Sequence, residues 1–73
     1  MKEEWVLVYS ADAEFKAKIA EDILKQNDIV SHVLSKPDSA YPMIGNADLY
    51  SPANQAEAAR EVLRKEGITP IEN

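Results

Sequence analysis

The sequence contains an internal repeat, and this repeat limits the folds that the chain can adopt. Small and apolar residues of the first half recur 39 positions later in the second half. The matched residues are Ala17 and Ala56, Ala20 and Ala59, Leu24 and Leu63, and Ile29 and Ile68. A Tyr-Ser dipeptide precedes each set, but Tyr9 and Tyr50 lie 41 positions apart. The pattern predicts two copies of one strand–helix unit, of which the second is two residues shorter between its strand and its helix.

The first copy begins with a predicted strand over residues 4–9, where valine, leucine and aromatic residues suit a pleated sheet. Side chains alternate along a strand, so Val6 and Val8 share one face, while the other face carries Trp5, Leu7 and Tyr9. Both faces of this strand are therefore apolar. Packed helices account for one face, and the other needs a separate cover.

Two helices are predicted from the spacing of the alanines and leucines. The first is expected to run from Ser10, as its N-cap, to about Asn27, because serine accepts hydrogen bonds from free N–H groups. The second is expected to begin with Ser51 as the cap and Pro52 in the first turn. Its end is predicted at Gly67, in a Schellman motif closed by the following isoleucine.

Three further strands complete the predicted order of elements. A second strand is expected over 29–34 and a third over 47–50, joined by a long connection over 35–46 that contains apolar residues. Residues 68–71 predict a short fourth strand. Pro70 confines this strand to an edge of the sheet, because proline has no N–H to donate.

This order predicts a single α+β domain over residues 1–73 with a ferredoxin-like split βαβ sandwich fold. The elements follow as βαββα, with a short fourth edge strand. Both helices are expected on one face of an antiparallel sheet, with the first and third strands side by side at its centre. The other face of the sheet then receives no helix.

Composition narrows the classes of function. The chain has no cysteine, so it forms neither a disulfide nor a thiolate metal site. Eight basic and thirteen acidic residues give a net charge of −5, which repels a phosphate backbone, and no nucleic-acid partner is expected. No stretch approaches the roughly 20 apolar residues of a membrane span. We expect a cytoplasmic protein that does not bind membranes.

Residues that would carry catalysis or hold a cofactor are scarce. A phosphate-binding loop needs several glycines, and the chain has only Gly45 and Gly67. His32 is the single histidine, and no motif supplies it with a nucleophile and an orienting group. We therefore expect no enzyme activity, no metal and no cofactor.

The residues also resemble a known family. The similarity lies in the strand Trp5-Val-Leu-Val-Tyr-Ser10, the helix stripes Ala20-x-x-Ile23-Leu24 and Ala59-x-x-Val62-Leu63, the strand start at Ile29, and Gly45 leading to Leu49-Tyr50. Together they resemble the prokaryotic signal-transducing protein domain family, small bacterial domains of unknown function. The resemblance implies a ferredoxin-like fold related in architecture to PII-type signal proteins, and it brings no functional residues. Asp28 departs from the family, whose members usually have glycine there.

One candidate binding surface is the sheet face opposite the helices. It is expected to gather Trp5, Leu7, Tyr9, Val30, His32, Leu34 and Tyr50, with Asp48 near them. Left uncovered, this face would be an apolar patch of roughly several hundred Å². A patch of that size on a monomer usually marks an interface. Two alternatives stay open: the loop over 41–44 folds back over this face, or a register shift of one residue exchanges the two faces.

A second candidate is the connection over 35–46, with Tyr41 and Met43. PII-type proteins carry their signalling loop between the corresponding strands, so the resemblance makes this connection a candidate for contacting a partner. The alternative is that its apolar residues pack on the domain itself.

These features favour a non-enzymatic regulatory or signal-transducing module that binds a protein partner or forms a homodimer through the open sheet face. The alternative is a sensor of amino acids or other metabolites that resembles ACT domains and holds its small-molecule ligand at a dimer interface.

Overall fold

Two helices and three strands make up the part of the chain that the computed structural model describes, residues 4–35 and 46–72. The elements in order are β1 (Trp5–Ala11), α1 (Glu14–Gln26), β2 (His32–Ser35), β3 (Ala47–Pro52) and α2 (Ala53–Lys65). The predicted α+β class is confirmed. Two residues separate β1 from α1, whereas α2 follows β3 directly, as the different spacing of the two copies predicts.

The three strands form one antiparallel sheet in the order β1-β3-β2. The central strand β3 pairs with β1 from Trp5 opposite Pro52 to Ala11 opposite Ala47. On its other side it pairs with β2, from His32 opposite Tyr50 to Ser35 opposite Ala47. Strand β3 thus has a neighbour on both sides, and its residues from Ala47 to Leu49 are fully buried.

Residues 68–72 do not form the predicted fourth strand, although they lie against the outer edge of β1. The N–H of Ile71 donates a hydrogen bond of 2.8 Å to the carbonyl of Val8. The side chain of Arg60, on α2, donates from Nε to the carbonyl of Ile71 over 2.8 Å. Pro70 is buried and has no N–H to contribute to a strand ladder. One backbone hydrogen bond and one arginine contact therefore replace the expected strand pairing.

Strand β1 contains a bulge at Val8. Leu7 lies opposite Tyr50, but Tyr9 lies opposite Leu49, so Val8 is an additional residue on the β1 side. A bulge of this kind breaks the alternation of side chains along a strand. Val8 is buried in the helix-side core, and Tyr9 packs against the same core. The prediction that Tyr9 shares a face with Trp5 is therefore wrong.

The hydrophobic core lies between the sheet and the two helices. Its main cluster consists of Val8, Ala20, Leu24, Ile29, Leu49, Ala56, Ala59 and Leu63. A smaller cluster of alanines, Ala11, Ala17 and Ala47, continues it towards the start of α1. Alanines in the helix stripes let α1 and α2 approach the sheet closely, as the repeat predicts. Burial of each leucine contributes about 1.5–3 kcal/mol.

The helices begin later than the sequence predicts. Ser10 belongs to β1, and the N-cap of α1 is Ala13, which makes no side-chain capping hydrogen bond. Ser51 belongs to β3, is fully buried, and donates its hydroxyl to the carbonyl of Val30 over 2.8 Å. Pro52 is the N-cap of α2 rather than its first helical residue. Both serines are thus used by the sheet instead of the helices.

Both helices end in the same hydrogen-bonded motif. After α1, Ile29 donates to the carbonyl of Leu24, and Asp28 adopts the left-handed conformation with φ of 62°. After α2, Ile68 donates to the carbonyl of Leu63, and Gly67 has φ of 80°. These are Schellman motifs, in which the second residue after the C-cap closes the last turn of the helix. The internal repeat therefore extends to the helix ends, with aspartate in one copy and glycine in the other.

Strand β2 begins three residues later than predicted. Residues 29–31 lie before the strand, and the N–H of Val30 donates to the side-chain oxygen of Gln55 on α2 over 3.0 Å. Because Ile29 closes the end of α1, the chain reaches its pairing position only at His32.

No helix within residues 4–35 and 46–72 has the length and apolar character needed to cross a membrane.

Candidate interaction surface

The sheet has one face covered by the helices, and we call its opposite side the open face. Directly opposed residues of an antiparallel pair share a face, so the register assigns the members of this side. From β1 they are Trp5, Leu7 and Ser10, from β2 His32 and Leu34, and from β3 Asp48, Tyr50 and Pro52. The open face therefore contains five of the residues that the sequence predicts for a binding surface: Trp5, Leu7, His32, Leu34 and Tyr50.

A depression of about 600 Å³ lies on the open face and is lined by Trp5, His32, Leu34 and Tyr50. The rings of Trp5 and His32 meet edge to face, with centroids 6.4 Å apart and an angle of 62° between their planes. Trp5 is 48% exposed, and His32 is also exposed. Each of the three strands contributes to the lining. Sheet formation thus brings together aromatic residues that are 45 positions apart in the sequence, from Trp5 to Tyr50.

The open face has a polar contact next to this depression. The hydroxyl of Ser10 donates a hydrogen bond of 2.7 Å to Oδ1 of Asp48, which is only 1% exposed. The two residues lie opposite each other because the bulge at Val8 shifts the register of β1. A buried carboxylate needs such donors, since its transfer from water is otherwise costly. This pair is not evident from the sequence, because Ser10 has the residue type and position of a helix cap.

Two residues predicted for this surface lie elsewhere. The bulge turns Tyr9 to the helix side of the sheet, where it packs against the core. Val30 precedes β2, and its backbone is bonded to Gln55 of α2 and to Ser51. The predictions for Tyr41 and Met43, and for the loop over 41–44 as a cover, fall outside the described residues.

The polar side chains on the open face, among the described residues, are those of Ser10, His32, Asp48 and Tyr50. The hydroxyl of Ser10 donates a hydrogen bond to Asp48, and no hydrogen bond joins His32 to a hydroxyl among the described residues. Within residues 4–35 and 46–72, no three histidine, cysteine or acidic side chains cluster in a way that could hold a metal ion. The depression on the open face therefore presents aromatic and aliphatic surface around the imidazole of His32.

A second depression, of about 540 Å³, lies beside the end of α1 and is lined by Glu21, Asp22, Lys25, Asp28, Ile29, Val30 and Ser31. Its charged groups are of both signs. The hydroxyl of Ser31 is buried there and makes no hydrogen bond to any other described residue. No aromatic residue lines this second depression, and none of its lining residues belongs to the open face.

The groups whose pKa values shift lie on the exposed helix surfaces. A hydrogen bond from Lys16, followed by its positive charge, lowers the pKa of the Asp12 carboxyl below its ordinary value. The carboxylate of Glu72, and then that of Glu61, raise the pKa of the Arg64 guanidinium. These are surface ion pairs at the start of α1 and the end of α2. They do not mark a catalytic cleft, where perturbed groups would converge on a cavity.

In comparisons with known proteins, no family model, no curated protein and no solved structure matches the chain.

Proposed function

We propose that this protein is a non-enzymatic regulatory module that associates with a second copy of itself through the open face. The observation that carries the proposal is the depression lined by Trp5, His32, Leu34 and Tyr50. It exposes a tryptophan on the side of the sheet that neither α1 nor α2 covers. Aromatic residues of this kind are enriched in the cores of protein interfaces and often dominate their binding energy.

The charge on the open face is compatible with a second copy as the occupant. The chain has a net charge of −5, and the helices expose side chains of both signs, such as Glu14 and Lys18 on α1 and Glu57 and Arg64 on α2. On the open face, the one carboxylate among the described residues is buried and hydrogen-bonded to Ser10. Two such faces can meet without like-charge repulsion.

The proposed architecture is ferredoxin-like, in keeping with the resemblance to prokaryotic signal-transducing domains. Three features support it. Both helices contact the core on one side of the sheet, β1 and β3 are neighbours, and residues 70–72 follow the edge of β1 where a fourth strand would stand. In that fold the uncovered sheet face is available for a subunit or ligand, which agrees with the placement of Trp5.

Replacement of Trp5 by glutamate tests the proposed dimer. Trp5 is half exposed, so Trp5→Glu should leave the domain folded while placing two charges in the interface. We expect the dimer dissociation constant to rise by at least about tenfold, because an aromatic anchor is worth 1.4 kcal/mol or more. Sedimentation velocity over a concentration series measures it. Phe15→Glu is the matched control, since Phe15 is 64% exposed on α1, away from the open face.

The oligomeric state of the wild-type chain is the first test of the proposal. A chain that sediments as a monomer at the highest attainable concentration contradicts self-association. Equal losses of dimer in Trp5→Glu and Phe15→Glu would place the interface elsewhere. A dimer that survives both substitutions would also exclude the open face as the contact.

A second candidate function is a small-molecule sensor resembling ACT domains, and the size of the depression favours it. Its volume of about 600 Å³ falls in the range of about 300–1,000 Å³ that is usual for ligand sites. A bound amino acid or related metabolite would raise the melting temperature by mass action. Trp5 is the only tryptophan, so its fluorescence reports directly on this site. A panel of amino acids that changes neither signal argues against the sensor.

A further inference from the structure

We propose that residues 68–72, which we call the strap, guard the outer edge of β1, and that release of the strap lets β1 of one copy pair with β1 of another. The strap follows α2 and lies against β1, the first strand in the sheet order β1-β3-β2. Such pairing uses the backbone at the edge of the sheet rather than the open face. It is therefore independent of the proposed homodimer.

Strand β1 has the composition of a segment that pairs readily with copies of itself. Its sequence, Trp-Val-Leu-Val-Tyr-Ser-Ala, contains no charged residue, no glycine and no proline. Segments of about six or seven residues with high β-propensity and low charge are the usual signature of self-pairing strands. An edge strand also offers unpaired N–H and C=O groups as a template, and lysine or proline commonly blunts such edges. Since β1 has neither, its protection among the described residues consists of the bulge at Val8 and the strap.

The strap is bonded to β1 at the bulge. The N–H of Ile71 donates a hydrogen bond of 2.8 Å to the carbonyl of Val8, the additional residue of the bulge. Pro70, the preceding residue, is buried and has no N–H, so the strap covers the edge without extending the ladder of the sheet. A strand from another chain needs the same carbonyl of Val8. It can pair along β1 only after the strap has left.

Arg60 holds the strap from the side of α2. Its Nε donates to the carbonyl of Ile71 over 2.8 Å, and its Nη2 approaches the carbonyl of Leu7 at 3.5 Å. The guanidinium thus bridges the strap and the strand that the strap covers. Glu72 adds an ion pair of 2.6 Å with Arg64 on the exposed surface, where such pairs contribute little to stability.

The strap should open while the rest of the domain stays folded. One backbone hydrogen bond joins it to β1 among the described residues, whereas β3 pairs with β1 from Trp5 to Ala11. Local opening of a weakly held segment costs less free energy than global unfolding. The edge of β1 then becomes accessible in molecules whose core is intact.

Ile71→Pro in the full chain tests the guarding role, because it removes the N–H that bonds Val8 and leaves both core clusters unchanged. We expect it to assemble at least about tenfold faster than the wild-type chain, since an uncovered apolar edge templates pairing. Thioflavin T fluorescence and sedimentation velocity measure the assembly, and amide hydrogen exchange locates new protection in β1. Ile71→Ala is the matched control, because it shortens the side chain but keeps the N–H. Ala20→Leu, which disturbs the core and not the strap, controls for assembly through unfolding.

Amide exchange of the wild-type chain tests the opening itself. The N–H of Ile71 should exchange at least about tenfold faster than the N–H of Leu24 within α1, because local opening precedes global unfolding. Equal protection of these two amides would show that the strap leaves only when the whole domain unfolds, and it would overturn the inference.

The results for the variants are equally decisive. Faster assembly of Ile71→Pro alone, with new protection of β1 amides, supports the guarding role. A folded Ile71→Pro that assembles at the wild-type rate overturns it, as does equal acceleration in either control or protection that appears outside β1. An Ile71→Pro chain that circular dichroism shows to be unfolded also overturns it, because the strap would then be part of the folding core. A monomeric wild-type chain contradicts only the open-face homodimer.

Discussion

The guanidinium of Arg60 donates a hydrogen bond of 2.8 Å from Nε to the backbone carbonyl of Ile71. The same residue, Ile71, donates its N–H to the carbonyl of Val8 over 2.8 Å. Arg60 also approaches the carbonyl of Leu7 at 3.5 Å and the carboxylate of Glu57 at 3.0 Å. Its side chain is largely buried, unlike that of an ordinary helix-surface arginine. Arg60 therefore joins α2, the edge of β1 and the chain after α2.

Arg60→Ala should destabilise the domain by about 1.5–3 kcal/mol, because hydrogen bonds from a charged donor to buried carbonyls are lost together. Urea unfolding monitored by Trp5 fluorescence measures this change. Arg64→Ala is the matched control, since Arg64 pairs with Glu61 and Glu72 on the exposed side of α2. Its effect should be much smaller, as surface ion pairs contribute little. Similar losses of stability in the two variants would show that the contacts of Arg60 contribute no more than the surface ion pairs of Arg64.

The two Schellman motifs predict opposite effects for two matched substitutions. At Gly67, with φ of 80°, no atom lies near the position of an added Cβ. Gly67→Ala should still cost about 1 kcal/mol, because the left-handed conformation strains any residue with a Cβ. At Asp28, with φ of 62°, Asp28→Gly should stabilise by about 0.5 kcal/mol, since relief of strain exceeds the added chain entropy. Chemical denaturation of both variants provides the measurement, and the same sign in both would contradict the argument.

The alanine stripe of α1 predicts that a larger side chain within it lowers the stability of the domain. Ala20 is fully buried between helix and sheet, so Ala20→Leu should overpack the core and cost about 1–3 kcal/mol. Ala58 is exposed on α2, and Ala58→Leu should change the free energy of unfolding by less than about 0.5 kcal/mol. Thermal unfolding by circular dichroism measures both. An unchanged melting temperature in Ala20→Leu would remove this residue from the core.

The ion pair between Asp12 and Lys16, with its nitrogen and oxygen 3.0 Å apart, predicts a measurable pKa difference. The hydrogen bond from Lys16 lowers the pKa of Asp12, so Lys16→Gln should raise it towards the ordinary aspartate value. Carboxyl carbon shifts in an NMR titration report it. The contribution of Asp12 to stability is present above its unfolded-state pKa and is lost as the pH falls through the lower folded-state value. Lys18→Gln, whose partner is Glu21, should leave the pKa of Asp12 unaltered.

Local residue types were sufficient to predict the helix-side packing. The spacing of Ala17, Ala20 and Leu24 defines a buried stripe whatever the surrounding fold, and the structure buries all three. The Schellman motif after α2 was likewise predicted, because Gly67 followed by an apolar residue has a local signature. The members of the candidate surface on regular strand positions, Trp5 and Tyr50, followed from simple alternation.

The bulge at Val8 could not be predicted in the same way. Valine suits a regular strand, and nothing in its neighbours requires an additional residue on one side of a pair. A bulge is a property of the register between two strands, here β1 and β3, which are more than 30 positions apart in the sequence. Its consequences, the inward turn of Tyr9 and the pairing of Ser10 with Asp48, were therefore beyond reasoning on either strand alone.

The two edges of the sheet are not equivalent. Ile71 and Arg60 occupy the backbone acceptors of β1 at Leu7 and Val8, while the outer side of β2 has no strand against it within the described residues. A further strand could pair with β1 only by displacing Ile71 and Arg60, so this edge is protected against the edge-to-edge pairing that leads to aggregation.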